Sequence, residues 1–393
     1  MKKNYVPQIP YGTRDLLPRE AKQKRLVEGA LAELFSQWGY EEVVTPTFEY
    51  METLTLGTGS SIQENVFKFF DKNNRILALR PDLTTPIARV AVTRLKETPL
   101  PLRLFYLTNV FRHEQAQAGR QCEFYQAGVE FLGAPGPVAD AEVVALAVEA
   151  MLEAGLTNFQ ISLGQVDFVN GIMAESGLSP EYQQQIKYSM VSRDLVGLGE
   201  LLSQSGLSPA AQELLKQIPL LHGREDMLNK AYQLVSNDLS RTALDNLADI
   251  RRLLACYGVD SYVNFDLGII RDFDYYTGMV FEGYTPGLGF PLCGGGRYDN
   301  MLASLGDPNP ATGFALGIER VLLALERQGI GVSVRGRDLY IAWAEGKLSE
   351  AIEAAGKYRK AGRRAELAIA AAAKQAAETT AREQGYEELI YIE

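Results

Sequence analysis

The chain has 393 residues, of which 46% are hydrophobic and 22% are charged. A chain of this length is too large for one small core, so we expect two or three folded units. The formal net charge of −10 repels a polyanion at long range, which argues against a large nucleic-acid footprint but still allows a local basic patch.

Membrane insertion and secretion are not indicated. The N-terminus carries two lysines without an apolar run behind them, unlike a signal peptide. We find no window of about 18 uncharged apolar residues, the length a spanning helix needs. The sequence therefore predicts a cytoplasmic protein without a membrane partner.

Metal and disulfide chemistry have few candidate residues. The two histidines are His113 and His222, and the three cysteines are Cys122, Cys256 and Cys293. The cysteines are widely separated and lack Cys-x-x-Cys spacing, so we predict buried thiols without a disulfide framework. We expect no metal site and no cofactor.

The first element is a predicted helix over residues 20 to 38, where apolar residues recur at helical spacing. Gly39 is a plausible stop after it. Residues 41 to 45 then read as a short strand limited by Pro46.

The segment from residue 106 to residue 130 sets charges between apolar positions that are typical of strands. We predict a hairpin in which Glu123, Gln126 and Glu130 share one face. Arg112 lies in the same segment, and its guanidinium suits a phosphate or carboxylate, whereas a carboxylate suits an ammonium group. An ordinary hairpin with a solvated charged face is the alternative.

Between about residues 167 and 255 the pattern is helical. Ser179-Pro180 and Ser208-Pro209 each follow a Gly-Leu pair, which predicts helices that end at glycine and restart at a serine N-cap with proline first. Strand chemistry returns over residues 258 to 267.

Three later segments are specific in spacing. They are Arg271-Asp-Phe-Asp-Tyr-Tyr-Thr-Gly278, Gly294-Gly-Gly-Arg-Tyr-Asp299 and Gly313-Phe-Ala-Leu-Gly-Ile-Glu-Arg320. With Arg112, they resemble motif 2, the histidine-specific segment and motif 3 of class II histidyl-tRNA synthetases. Leu79-Arg-Pro-Asp-Leu-Thr84 and the N-terminal Gly12-Thr-Arg-Asp15 extend the resemblance, which covers the chain to about residue 330.

The resemblance implies a histidine pocket, with carboxylates and an amide around the amino group and imidazole, a cation on the carboxylate and two aromatic rings. The histidine-binding residues that it implies are Asp82, Thr84, Arg112, Gln126, Glu130, Arg271, Tyr275 and Tyr276. For the two tyrosines taken alone, core packing stays an alternative.

The resemblance also implies a nucleotide side, now vestigial, formed by Arg112, Glu114, Arg120 and Arg320. Two family arginines are missing there, one within Glu114-Gln-Ala116 and one at Cys122. Arginines aimed at transferring phosphates stabilise developing charge, so we expect adenylate formation to be impaired. The triple glycine at 294–296 lacks nucleotide-loop spacing and predicts a close backbone approach instead.

From residue 337 the sequence predicts a strand over 338–342, a helix, an alanine-rich helix from about 369 to 384 and a strand over 388–392. This tail resembles the beginning of the family's anticodon-binding domain but is shortened. Its basic run over 357–364 is read as a solvated helix end, with a tRNA contact as the alternative.

We therefore expect an α+β fold: a class II aminoacyl-tRNA synthetase-like antiparallel sheet with flanking helices, a helical insertion and a small truncated C-terminal α/β domain. The expected boundaries are 1–166 and 256–330 for the core, 167–255 for the insertion and 336–393 for the C-terminal domain.

A kept amino-acid pocket, an eroded nucleotide side and a shortened anticodon module resemble the regulatory subunits of ATP phosphoribosyltransferase, a synthetase-like family of histidine biosynthesis. The resemblance implies a non-catalytic homodimer that joins the short-form catalytic subunit in a hetero-oligomer and takes L-histidine as its feedback effector. We expect no tRNA partner. The alternatives are a divergent histidyl-tRNA synthetase and an amino-acid-sensing or RNA-associated protein with another partner.

Overall fold

The computed structural model describes residues 7–58, 65–113, 121–269, 276–332 and 336–393. The chain forms two compact units, Met1–Gly331 and Val332–Glu393. In those described ranges, no helix combines the length and the apolar character needed to cross a membrane.

The first unit contains most of the helices and strands. Its helices are α1 Pro18–Gln37, α2 Met51–Thr58, α3 Thr84–Thr93, α4 Pro137–Glu153, α5 Val166–Ser176, α6 Pro180–Val191, α7 Leu195–Gln204, α8 Pro209–Gln217, α9 Glu225–Leu234, α10 Asp238–Tyr257, α11 Asn300–Ser304 and α12 Ile318–Arg327. Its strands are β1 Glu41–Glu42, β2 Phe48–Tyr50, β3 Lys68–Phe70, β4 Ile76–Leu79, β5 Leu102–Phe111, β6 Glu123–Leu132, β7 Gln160–Gln165, β8 His222–Gly223, β9 Val263–Asp266, β10 Met279–Tyr284, β11 Cys293–Arg297 and β12 Ala311–Gly317.

Nine of these strands form one sheet in the order β1-β5-β6-β12-β11-β10-β7-β9-β8. The six strands from β5 to β7 pair antiparallel, which confirms the predicted fold class. The pairs β1–β5 and β7–β9 are parallel, a difference from the prediction. Long helical connections, such as α5 to α10 between β7 and β9, permit parallel pairing because they carry the chain back across the sheet. A separate antiparallel sheet has the order β2-β4-β3.

Helix α1 covers one face of the large sheet. It begins at Pro18, where the Glu20 carboxylate accepts the Leu17 N–H at 2.9 Å, and the left-handed Gly39 (φ 81°) follows its end. Its buried Phe35 ring lies 5.6 Å from the ring of Phe105 on β5. The helix predicted over residues 20 to 38 is therefore confirmed, shifted by one or two residues.

Helix α3 and strand β5 pack together on the opposite face of the sheet, with α11 beside them. This layer holds Leu83, Ile87, Leu104 and Tyr106 in one buried cluster. Period-two alternation along β5 places Leu104 and Tyr106 opposite Phe105. The two faces of β5 therefore pack against two different layers of helices.

The predicted serine caps are confirmed. The Ser179 hydroxyl accepts the Tyr182 N–H and the Ser208 hydroxyl accepts the Ala211 N–H, both at 3.3 Å, and a proline opens each helix. The segment is not purely helical, because β8 joins the large sheet beside β9. Residues 167–255 fall within the first compact unit, and their role as a separate domain stays a prediction.

The second unit has a parallel sheet in the order β14-β13-β15, formed by β13 Arg337–Trp343, β14 Ala365–Leu367 and β15 Tyr386–Ile392, with helices α13 Leu348–Lys360 and α14 Lys374–Glu383. The predicted alanine-rich helix is wrong in its first five residues. The Ala368 N–H donates to Ile341 and the Ala372 N–H donates to Trp343, at 2.8 and 3.1 Å. Because β13 carbonyl groups hold this backbone, the alanine tract follows the sheet before α14 begins.

The cysteines and the basic run over residues 357–364 have the following surroundings. Cys256 is exposed near the end of α10, so the prediction of a buried thiol is wrong there, whereas Cys122 and Cys293 are buried. In the basic run, Lys357 pairs with Glu353, while Arg363 and Arg364 pair with carboxylates at 2.9 and 2.6 Å. These ion pairs favour the solvated reading of the run.

Candidate functional site

A pocket opens over strands β6, β11 and β12 on the α3 side of the large sheet. Seven of the residues singled out by resemblance line it together: Asp82, Thr84, Arg112, Gln126, Glu130, Tyr276 and Arg320. The other four, Glu114, Arg120, Arg271 and Tyr275, lie outside the described residues. The structure thus brings together every predicted site residue that it describes.

Strand β6 supplies three pocket side chains at even positions, Phe124, Gln126 and Glu130. Side chains alternate between faces along a strand, so Glu123 points to the other face. Its carboxylate accepts the Asn109 side-chain N–H at 2.8 Å. The prediction that Glu123 shares a face with Gln126 and Glu130 is therefore wrong, because an odd spacing in a strand reverses the face.

Glu130 forms the floor of the pocket and is 2% exposed. Its carboxyl group accepts a hydrogen bond from the Tyr298 hydroxyl and another from Thr84. Burial raises its pKa to about 8, against the effect of those two hydrogen bonds. Gly313 makes room for it, since a Cβ atom there would lie 2.2 Å from Glu130 Oε2.

Asp82 follows β4 and sits at the start of α3, where the backbone N–H groups of Thr84 and Thr85 lower its pKa. Burial outweighs those bonds and the nearby charge of Arg112, so its pKa is raised. Asp82 Oδ1 and Gln126 Oε1 are both buried, and neither has a hydrogen-bond partner within the described ranges. Burying acceptors of this kind lowers the stability of the fold unless a donor reaches them.

Two arginines occupy the rim. Arg112 donates from Nε to the Pro81 carbonyl at 3.0 Å, and its guanidinium lies 5.3 Å from the Phe124 ring centre. Arg320 donates from Nη1 to the Pro291 carbonyl at 2.7 Å. Planar groups tethered in this way suit a carboxylate or phosphate ligand.

Glu319 fixes the start of α12 behind Arg320. Its carboxylate accepts the Tyr125 backbone N–H at 2.9 Å. Burial raises its pKa, while that N–H and nearby cations oppose the shift. The two neighbouring residues therefore have different roles: Glu319 hydrogen-bonds α12 to β6, and Arg320 lines the pocket.

Gly294 and Gly295 form part of the pocket wall, and the close backbone approach predicted for the triple glycine is confirmed at Gly295 and Gly296. A Cβ atom on Gly295 would lie 2.2 Å from the Gly313 carbonyl oxygen, and one on Gly296 would lie 2.9 Å from the Tyr276 ring. No side chain larger than hydrogen fits at these positions without displacing the neighbouring strand or ring.

Sequence reasoning missed Tyr106, Phe124 and Tyr298 as pocket residues. Tyr106 is fully buried, and burial with the charges of Glu130 and Asp82 raises its pKa. The sequence contains one indication of the packing of Tyr106, namely the glycine at position 128, which lies directly across from it in the hairpin. A Cβ atom on Gly128 would lie 2.4 Å from the Tyr106 hydroxyl oxygen.

In the part of the chain that the structure covers, no group of three His, Cys, Asp or Glu side chains could hold a metal ion. What the described residues offer is a small polar cavity with carboxylates and an amide below and guanidinium groups at the rim. Such a cavity suits a zwitterion, with its ammonium group at the buried acceptors and its anionic group at an arginine.

Comparisons with known proteins identify the family of the chain. Residues 12–321 match the family model described as histidyl-tRNA synthetase. The chain is 43% identical to the ATP phosphoribosyltransferase regulatory subunit of Desulforamulus reducens, over 97% of this chain and 95% of that protein. It is 45% identical to the subunit of the same name from Moorella thermoacetica, over 86% and 88%.

A solved structure matches over the full length of both chains, with a TM-score of 0.89 and 33% identity. It is described as an ATP phosphoribosyltransferase regulatory subunit/histidyl-tRNA synthetase from Bacillus halodurans. A histidyl-tRNA synthetase from Nostoc, at 19% identity and a TM-score of 0.83, supports the fold alone. The chain belongs to the histidyl-tRNA synthetase-like family and, within it, to the ATP phosphoribosyltransferase regulatory subunits.

Proposed function

We propose that this chain binds L-histidine in the pocket and, through that binding, regulates a short-form ATP phosphoribosyltransferase catalytic subunit with which it forms a hetero-oligomer. The observation that carries the proposal is the pair of buried acceptors, Asp82 Oδ1 and Gln126 Oε1, without partners among the described residues. An α-ammonium group supplies three donors and no acceptor. It would therefore satisfy both atoms at once.

The rest of histidine fits the surrounding chemistry. Glu130 lies deep in the same pocket and can accept an imidazole N–H, while the Tyr276 ring forms part of the wall. A site that hydrogen-bonds a buried polar group rejects ligands that lack the group, because its own atoms are then left unpaired. Arg271 on the histidine carboxylate and Tyr275 beside the ring complete the proposal from the family resemblance.

Loss of adenylate chemistry is part of the same proposal. The Cys122 N–H donates to the Gly12 carbonyl at 2.7 Å, and a Cβ atom on Gly12 would lie 2.3 Å from Cys122 Sγ. The N-terminal segment thus packs directly on the cysteine that replaces a family arginine. We propose that the chain is non-catalytic because a positive charge needed on transferring phosphates is missing here.

A homodimer through the first unit also belongs to the proposal. Apolar side chains stand exposed on and beside the small β2-β4-β3 sheet: Val44, Phe48 and Phe70 are 84%, 49% and 69% exposed. Large exposed apolar groups grouped in this way are typical of interfaces. The family resemblance implies a dimer interface built by the helix and strand of residues 20–45, next to this sheet in the sequence, and we place the complex in the cytoplasm.

The deciding experiment mixes the purified chain with the short-form catalytic subunit of the same organism and follows phosphoribosyl-ATP formation with and without histidine. We expect activity that requires the mixture and falls when histidine is added. An Asp82→Asn variant is the control that should form the complex but lose histidine sensitivity. Partner activity that is unchanged by this chain would contradict the proposal.

A divergent histidyl-tRNA synthetase is the second candidate. One observation favours it: Arg112 and Arg320 both still line the pocket. Transfer of labelled histidine to the cognate tRNA in the presence of ATP would support this candidate. Histidine binding without either activity would instead indicate an amino-acid sensor with another partner.

A further inference from the structure

Arg80 lies behind the pocket wall and does not line the pocket, although it is only 3% exposed. Every hydrogen bond described for its guanidinium goes to an uncharged oxygen. The acceptors are the carbonyl groups of Thr45, Pro46 and Asn109 at 2.8, 3.1 and 2.9 Å, the Asn109 side-chain oxygen at 3.1 Å, and the hydroxyl groups of Thr108 and, at 3.5 Å, Thr45. Glu49 acts on this guanidinium through its charge alone, so the hydrogen bonds of Arg80 serve to hold neighbouring chain segments in place.

These acceptors belong to two different parts of the fold. Thr45 and Pro46 lie between β1 and β2, whereas Thr108 and Asn109 lie near the end of β5. The Arg80 backbone adds to the connection, because its N–H donates to Thr47 at 3.0 Å and its carbonyl accepts the Phe111 N–H at 2.9 Å. Arg80 therefore joins the end of β4 to both segments.

The chain enters the pocket directly after this junction. Pro81 accepts the Arg112 Nε hydrogen bond at 3.0 Å, and Asp82 supplies one of the two pocket-lining acceptors that lack a partner among the described residues. The position of the 80–82 backbone thus sets the place of one anionic and one cationic pocket group. We propose that Arg80 is the positioning residue for the charged groups of this pocket, an inference that rests on the proposed histidine binding.

A guanidinium is required for this task because its N–H donors spread in a rigid plane and reach several acceptors at once. A lysine keeps the charge but offers three donors around a single nitrogen atom. Lysine at position 80 would leave buried carbonyl oxygens unpaired, and the 80–82 backbone would lose its fixed position. Small displacements of a binding group weaken a preorganised site strongly.

The test compares Arg80→Lys with Arg89→Lys. Arg89 lies on α3 in the same region and binds Glu49 with Nε and Nη2 at 2.6 to 3.0 Å, but it does not line the pocket. Calorimetric titration with histidine should give at least about a tenfold weaker affinity for Arg80→Lys and a change below about twofold for Arg89→Lys. Thermal unfolding of each variant reports its stability separately.

Two further measurements keep the inference testable. If Arg80→Lys does not fold, Thr108→Val removes one acceptor of the guanidinium and should weaken histidine binding in the same direction. Hydrogen exchange of the intact chain needs no ligand, and Arg80→Lys should accelerate exchange in the segments around residues 82–85 and 108–112, whereas Arg89→Lys should not.

The outcomes separate this inference from the proposed function. A wild-type chain that does not bind histidine would contradict the proposed function, and the exchange measurement would still decide the role of Arg80. Wild-type affinity together with wild-type exchange in a folded Arg80→Lys or Thr108→Val chain would overturn the positioning role.

Discussion

Two carboxylates on one strand, Glu123 and Glu130, face opposite sides of the sheet and therefore form a matched pair. Glu130 lines the pocket, whereas Glu123 bonds Asn109 on the other face. At a pH above about 8, where this carboxyl group is ionised, Glu130→Gln removes the charge from the pocket floor. Because hydrogen bonds to charged groups contribute about 1.5–3 kcal/mol, we expect histidine affinity to fall about 10- to 100-fold.

Isothermal titration calorimetry of the two variants measures this difference. Glu123→Gln should keep histidine affinity within about twofold of wild type. Equal losses in the two variants, or none in either, would show that the ligand does not contact the floor of the pocket.

The same carboxyl group predicts a dependence of stability on pH. Burial raises the Glu130 pKa from 4.5 to about 8, so between those values the folded chain holds a proton that the unfolded chain has released. Stability must then fall as pH rises from about 4.5 to about 8, by at most about 1.4 kcal/mol per pH unit from this group.

Urea unfolding of the histidine-free chain at several pH values between 5 and 8 checks this sign. Asp82, Asp140 and Glu319 also have raised pKa values, so the wild-type profile contains their contributions too. The difference between wild type and Glu130→Gln isolates Glu130. Parallel pH profiles for the two proteins would show that Glu130 does not titrate in this range.

At the scale of elements, β12 must approach β6 closely for the pocket to exist. A Cβ atom on Gly313 would lie 2.2 Å from Glu130 Oε2 and 2.4 Å from the Val129 carbonyl oxygen. Because one of these atoms is backbone in the neighbouring strand, Gly313→Ala must separate β12 from β6. We expect a loss of about 1–3 kcal/mol in the free energy of unfolding, together with weaker histidine binding.

Gly289→Ala is the control, since a Cβ atom there meets no atom within 4 Å. Chemical unfolding and histidine titration of both variants would be compared with wild type. If Gly313→Ala behaves like Gly289→Ala, the close packing of β12 on β6 is not needed for the site.

Elements whose signals are local could be predicted from the sequence. The helices that begin after Ser179 and Ser208 form where expected because cap and first-turn proline act within four residues. The hairpin of β5 and β6 was also predicted, and only the face of Glu123 was wrong. That error came from the odd spacing of one residue in a period-two element.

Features that depend on distant partners could not be read in the same way. The alanine tract before α14 has high helix propensity, yet β13 holds its backbone by hydrogen bonds from Ala368 and Ala372. The role of Tyr106 becomes visible only when Gly128 is placed opposite it. The sequence predicts pocket residues best where they belong to a family motif, because the residues of a motif are kept together by the tertiary contacts of the family's site.

At the scale of the whole molecule, the pocket belongs to the first compact unit alone. All residues that line the pocket precede residue 321, and the second unit, Val332–Glu393, has its own buried cluster around Leu339 and Ile341. A chain that ends at Gly331 should therefore stay folded and bind histidine with an affinity within about twofold of the full chain.

Calorimetry on the shortened chain, with circular dichroism as the check of folding, measures this. A folded but non-binding chain would show that the second unit contributes to the site. An unfolded shortened chain would show that the second unit supports the first.

Regulation at the scale of the complex makes a further quantitative prediction. If histidine in this pocket controls the catalytic subunit, histidine and the partner bias one shared equilibrium, and linkage requires their effects on each other's binding to be equal. Coupling free energies are typically about 1–3 kcal/mol, or about 5- to 150-fold in affinity. We therefore expect histidine to bind the complex and the isolated chain with affinities that differ by a factor in this range.

The affinity of the partner for the chain, measured with and without saturating histidine, must change by the same factor. Asp82→Asn should abolish both changes, since it removes the negative charge proposed to hold the ammonium group and leaves the exposed surface of the chain as it was. Identical histidine affinities for the complex and the isolated chain would contradict coupling through association and leave histidine as a ligand without a regulatory route to this partner.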